Sequence, residues 1–169
     1  VTESLYSMDA DVPDLERTQA LCNEYNATLM VDVAHDLGAM GPGGTGALGT
    51  QDMLGQVDLV MGSFSKTFAS NGGFVAVGRQ SAKQYLKYYS GTHAFSNALS
   101  PVQCAIVRAA LRIVRSEEGV ERRSALLDVV NELRQHLEAR GVECAGVASP
   151  IVPALIDDVA VAWLASQQI

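Results

Sequence analysis

Short apolar runs separated by segments of helical period confine this chain to one class of fold. Thr28–Val33, Val57–Met61 and Gly73–Gly78 read as strands, and Ile151–Ile156 as one more. The first two are almost continuously apolar, broken only by Asp32 and Asp58, as expected of strands covered on both faces. Between them lie helical stretches. Asp14 to about Tyr25 can place Leu15, Leu21 and Tyr25 on one face, and Ser81–Tyr89 is a second helix. Ser100-Pro101-Val102-Gln103 is a helix start, with a Ser cap, Pro at the first helical position and Gln three residues after the cap. Ala105, Ile106, Ala109, Ile113 and Val114 then recur at helical spacing. A further helix to about Arg140 carries Leu126, Val129, Val130, Leu133 and Leu137, with Gly141 as its stop. From Asp158 the chain reads as helical again. Strands alternating with helices define an α/β fold with a mainly parallel sheet.

In such sheets ligands bind beyond the carboxyl ends of the strands. Asp32 and His35 fall at the end of one strand, and Lys66 follows another by a few residues in Met61-Gly-Ser-Phe-Ser-Lys66-Thr67. A carboxylate ending a buried strand is costly without a cationic partner. Ser63, Ser65 and Thr67 supply hydroxyls suited to phosphate oxygens, and Gly72-Gly73 permits close backbone approach. A lysine, a partly buried aspartate and a hydroxyl-rich turn are what pyridoxal phosphate (PLP) requires. The lysine forms the Schiff base, and the acid keeps the pyridine nitrogen protonated. The plainer alternative is a solvated surface lysine beside a strand-end cap.

Other chemistries fit less well. Gly41-Pro-Gly-Gly-Thr-Gly46 has the spacing of a dinucleotide loop but joins no strand directly to a helix, and carries a proline in the turn. The run ending Lys66-Thr67 lacks the glycines of a P-loop, with Met61 and Ser65 where they would stand. Asp32 and His35 have no third ligand at a telling distance, so no metal site is expected. A net charge of −7 with scattered basic residues argues against nucleic acid. The basic cluster Arg79, Lys83 and Lys87 reads as a solvated helix face, the alternative being contact with coenzyme A phosphates. At 169 residues, 48% hydrophobic and 18% charged, the chain can build a real core. Its apolar runs are too short to span a bilayer, and three scattered cysteines suit a reducing compartment, so a cytoplasmic location is expected. The chain opens at Val1 without an initiator methionine and stops at Ile169 inside a helical pattern, so the expectation is an internal piece of a longer protein.

Four blocks carry a family resemblance: Glu3-Ser-Leu-Tyr-Ser7-Met-Asp-Ala-Asp, Val31-Asp32-Val-Ala-His35-Asp-Leu-Gly-Ala-Met-Gly-Pro42, Gly62-Ser-Phe-Ser-Lys66 and Phe95-Ser96-Asn-Ala-Leu-Ser-Pro101. In this order they resemble the α-oxoamine synthases, fold-type-I PLP enzymes, across essentially the whole chain. The resemblance implies a PLP-dependent transferase fold. Residues 1–115 would be the C-terminal half of the large PLP-binding domain, and 116–169 the linking helix and beginning of a small α+β domain. It implies a homodimer with active sites at the interface. It further implies Lys66 as the Schiff-base lysine, Asp32 as partner of the pyridinium and His35 near the cofactor O3′ and the substrate carbonyl. Ser7 would bind the phenolic oxygen, Ser63 and Ser65 the phosphate, and Ser96 the phosphate of the neighbouring subunit. One departure is Val33, where the family usually has glutamate. Side chains alternate along a strand, so residue 33 points away from Asp32 and cofactor binding is expected to survive.

The implied activity is decarboxylating condensation of a small amino acid with an acyl-CoA. Within the family the clues conflict: Phe64-Ser65-Lys66 and Ala69-Ser-Asn-Gly-Gly-Phe74 resemble serine palmitoyltransferases, the branch favoured here, whereas Phe95-Ser-Asn-Ala-Leu-Ser-Pro101 resembles 2-amino-3-ketobutyrate CoA ligases. The alternatives are another fold-type-I activity, such as an aminotransferase or lyase, or an inactive structural subunit of the same fold.

Overall fold

The alternation of strand and helix produces a four-stranded mixed sheet in the order β1–β2–β3–β4. The computed structural model describes residues 1–168. Ile169, the end of the expected C-terminal helical run, lies outside the described residues. The strands are β1 (Thr2–Glu3), β2 (Met30–Asp32), β3 (Leu59–Ser63) and β4 (Gly73–Val77). β1, β2 and β3 are parallel, with Glu3 opposite Asp32 and Asp32 opposite Met61. β4 returns antiparallel on β3, Gly73 facing Ser63. The sheet is thus α/β and mostly parallel, with one antiparallel edge strand.

Helix α1 (Leu15–Glu24) starts at Asp14, whose carboxylate accepts the Arg17 N–H at 2.9 Å. Leu15 and Gln19 face the sheet, whereas Leu21 and Tyr25, expected on the buried face, are exposed. The core joins Leu15 to Leu29, Val31, Val33, Ala47, Leu48 and Met53. Each large apolar side chain buried there contributes about 1.5–3 kcal/mol. Asp58, which interrupts the second apolar run, has a structural task. Its Oδ2 accepts the Leu29 N–H at 2.9 Å and the Gln19 side-chain amide at 3.1 Å, tying the starts of β2 and β3 to α1. The Gly41–Gly46 stretch, expected as a loop, holds a 3₁₀ turn at Pro42–Gly44 and ends at α2 (Gly46–Thr50).

After β4 come α3 (Gln80–Tyr89), the short α4 (Gly91–Ala94), α5 (Pro101–Val114) and α6 (Glu117–Glu138). The capping box at α5 forms as expected: Ser100 Oγ accepts the Gln103 N–H at 3.3 Å, and Gln103 Oε1 accepts the Ser100 N–H at 2.8 Å. The α6 stripe is only partly covered: Val130 is buried, but Val129 and Leu133 are exposed. Arg134 on α6 gathers the following segment, donating to the carbonyls of Cys144, Ala145 and Gly146 at 2.9–3.1 Å.

The expected strand Ile151–Ile156 does not form. One antiparallel bridge, Cys144 to Ala154, is all the pairing it achieves. Pro153 has no N–H to donate, which prevents a ladder from extending through the run. Helix α7 (Val159–Ser166) closes the described chain, capped by Asp158, which accepts the Ala160 and Val161 N–H groups. Among the described residues, no helix is long and apolar enough to cross a membrane.

Candidate active site

Parallel pairing brings the site residues to one edge. Because β2 and β3 run in the same direction with Asp32 opposite Met61, both strands release their chains at the same end of the sheet. Asp32 is half-buried there. Its Oδ1 accepts the Ala34 N–H at 2.9 Å, and Oδ2 accepts no hydrogen bond among the described residues. One carboxylate oxygen is therefore pinned by the backbone and the other is free for a cationic partner.

Beyond β3 the chain enters a tight turn whose shape the aromatic residues fix. Phe68 is buried, and Phe64 packs edge-on against it and tilted against Phe74, with ring centroids 5.6 and 5.7 Å apart. The backbone closes through Ala69 N–H to Lys66 O and Ser70 N–H to Phe64 O, and Ala69 takes a positive φ of 48°. With Phe68 anchored inward, Lys66 is left exposed, and no carboxylate pairs with it among the described residues. Ser63 and Ser65 hold their hydroxyls 2.7 Å apart, and the Ser65 N–H reaches Ser63 Oγ at 3.1 Å. The turn thus holds two exposed-side hydroxyls close together, the kind of pair that can serve phosphate oxygens.

His35 stands on the turn after β2. Its Nε2 lies 4.0 Å from Glu3 Oε2, an ion pair whenever the imidazole is protonated. Glu3 comes from β1, the neighbour of β2, and its buried Oε2 makes no hydrogen bond among the described residues. The role of Glu3 was missed at the level of single residues; the two-residue strand that carries it is too short to show a period. Asp36 was also missed. It is fully buried, and Oδ2 accepts the Ala47 N–H at 2.7 Å. Burial pushes its carboxyl above the usual range, opposed chiefly by that amide.

The structure therefore gathers Asp32, His35, Ser63, Ser65 and Lys66 at one sheet edge. Among the described residues, Ser7 and Ser96 make no hydrogen bond to them. Ser7 lies exposed in the turn after Leu5-Tyr6. Ser96 follows α4, donates to the Thr92 carbonyl, and lines a groove of about 1090 Å³ beside Gly62, Gly72 and Gly73. Among the described residues, no group of His, Cys, Asp and Glu has the arrangement of a metal site.

The fold is that of the PLP-dependent transferases. The chain belongs to the aminotransferase class I and II family, whose profile matches residues 1–166. The relatives it matches are α-oxoamine synthases. It is 35% identical over 158 residues to a serine palmitoyltransferase of Bacteroides thetaiotaomicron, covering 94% of this chain and 39% of that protein. It is 38% identical over 159 residues to an 8-amino-7-oxononanoate synthase of Anaeromyxobacter dehalogenans, covering 92% of this chain and 38% of that protein. A solved serine palmitoyltransferase with PLP as internal aldimine superposes with a TM-score of 0.85 at 28% identity, over 94% of this chain and 40% of the other. The chain thus spans about two fifths of the length of these relatives. The residues fit the family's cofactor: an acid with one unpartnered oxygen, an exposed lysine free of carboxylates and a paired-hydroxyl turn all open on the same edge.

Proposed function

We propose that this chain carries the cofactor-holding part of a PLP-dependent acyltransferase that condenses a small amino acid with an acyl-CoA thioester. The observation behind this reading is the register of Asp32 with Met61, which brings the acid and the lysine turn to one end of the sheet. When bound, PLP supplies an electron sink for the carbanion formed at the amino acid α-carbon. Asp32 Oδ2 is the partner of the pyridine nitrogen and keeps it protonated. Ser63 and Ser65 hold the phosphate, together with the Ser65 amide region of the turn. Lys66 Nζ would hold the cofactor, and its amine is the base that takes the α-proton of the amino acid. His35 donates a hydrogen bond to the oxygen that becomes negative as the thioester carbonyl is attacked. The sulfur leaves as thiolate with the electrons of the acyl bond, carbon dioxide leaves the condensed acid, and the carbon it leaves takes back the proton held by Lys66, giving an α-amino ketone.

In the same reading, Ser7 contacts the phenolic oxygen and Ser96 reaches the phosphate of the second subunit of a homodimer. Residues 1–115 belong to the large domain, and 116–169 link it to the small one. The enzyme works in the cytoplasm. The relatives include both serine palmitoyltransferases and 8-amino-7-oxononanoate synthases; the lean toward a serine palmitoyltransferase, and so toward serine with a long acyl-CoA, rests on the Phe64-Ser65-Lys66 and Ala69–Phe74 segments.

The test is a panel of glycine, alanine and serine against short and long acyl-CoAs, with free thiol as the readout in the full-length protein. Thiol release dependent on both substrates supports the reading. Amino-group transfer to a keto acid without thiol release would instead assign an aminotransferase, the alternative that the breadth of the family keeps in view.

A further inference from the structure

The proposed chemistry leaves Asp36 without a task, although its position is expensive. It has no exposed surface, Oδ1 makes no hydrogen bond among the described residues although the buried Ser4 hydroxyl lies near the carboxyl, and a buried, half-satisfied carboxyl costs stability. What it gains is a closed loop. Oδ2 accepts the Ala47 N–H at 2.7 Å, while the Asp36 carbonyl accepts the N–H groups of Ala39 and Met40 at 3.0 and 3.1 Å. Two further backbone bonds run across the same loop, Gly38 N–H to Gly44 O at 2.7 Å and Gly46 N–H to Met40 O at 2.9 Å.

The far side of the contact is built for it. Gly46 has φ +66°, and a Cβ there would stand 2.4 Å from Asp36 Oδ2. Both the backbone conformation and the space at that position therefore demand glycine. Asp36 shares a peptide bond with His35. Whatever fixes the backbone of one fixes the direction in which the other projects its side chain. Among the described residues the imidazole makes no hydrogen bond, and its one charged neighbour, Glu3, is 4.0 Å away.

We infer that Asp36 is a positioning residue: its carboxyl fastens the His35 turn to the Gly46–Ala47 corner and so sets where the imidazole stands at the sheet edge. The inference rests on the reading of His35 as a site residue. Asp36 itself touches neither substrate nor cofactor.

Asp36→Ala and Asp36→Asn in the full-length protein separate the possibilities. Asparagine keeps the shape and an oxygen to accept the Ala47 N–H; alanine removes the acceptor. In the alanine variant, amide exchange over residues 36–47 should rise by about tenfold or more, as expected when a buried bond is lost. The His35 ring signal in the NMR spectrum, assigned through His35→Gln, should shift. In the asparagine variant both should stay close to wild type. Turnover should follow the same order, with kcat of the alanine variant down by about tenfold and KM within about threefold, and asparagine restoring kcat. If Asp36→Ala does not fold, Asp36→Ser takes its place, its hydroxyl being too short to reach Ala47. Unchanged exchange, an unmoved His35 signal, or asparagine no better than alanine would overturn the inference. Absence of thiol release by the wild type would count against the proposed function, while exchange and the His35 signal would still decide the role of Asp36.

Discussion

Asp32 and Met61 sit opposite one another across two parallel strands, and that single register places a half-free carboxylate two residues short of the end of β3, where the Lys66 turn begins. Had the strands been antiparallel, the lysine turn would have left the sheet at the opposite end.

Asp32→Asn separates the two jobs of this side chain. The amide oxygen can still accept the Ala34 N–H, so the thermal midpoint should stay within a few degrees of wild type. The negative charge is gone, and turnover should fall by about a hundredfold or more, the scale of losing a charge aimed at a reacting group. Steady-state rates and a thermal melt on the same preparation check both halves.

The raised carboxyl of Asp36 makes stability depend on pH in a defined direction. Its folded value lies above its ordinary 3.8. Below that ordinary value the group is protonated in both folded and unfolded chains, and its contribution is fully present. As pH rises through the folded value, the unfolded chain releases the proton more readily and stability is lost. Asp36→Asn cannot titrate. Its stability relative to wild type should therefore be greater at pH 7 than at pH 4, as read from denaturant midpoints at the two pH values.

How much of this was legible in the sequence depended on how local each signal was. The α5 start could be read because Ser100, Pro101 and Gln103 satisfy one another within a single turn. The β2 and β3 strands could be read because both faces are covered and their sequences are nearly all apolar. Gly46–Thr50 could not, since its glycines signal a loop and the helix forms around a carboxyl ten residues upstream, Asp36. The apolar run at Ile151–Ile156 imitated a strand, but its neighbours in space are the segment at Glu143–Ala145 and not the sheet. At the site, Asp32, His35, Ser63, Ser65 and Lys66 were legible because each lies within a few residues of a strand end. Glu3 depends on which strand becomes the neighbour of β2, which only the assembled sheet reveals.

Arg134→Ala should release the segment that follows α6. Three carbonyls, those of Cys144, Ala145 and Gly146, lose their donor. The loss is expected to be about 2–4 kcal/mol, given that bonds to a charged group contribute about 1.5–3 kcal/mol each and act here as a unit. Limited proteolysis should cut between Gly141 and Pro150 in the variant before it cuts wild type, and a denaturant melt gives the magnitude.

The most direct measurement is to load the full-length protein with PLP, reduce it with borohydride and map the modified residue by mass spectrometry, with Lys66→Ala alongside. A pyridoxyl group on Lys66 in wild type, and none in the variant, is the result this account predicts. A folded dimer that takes up no adduct, or carries it on another lysine, would contradict it.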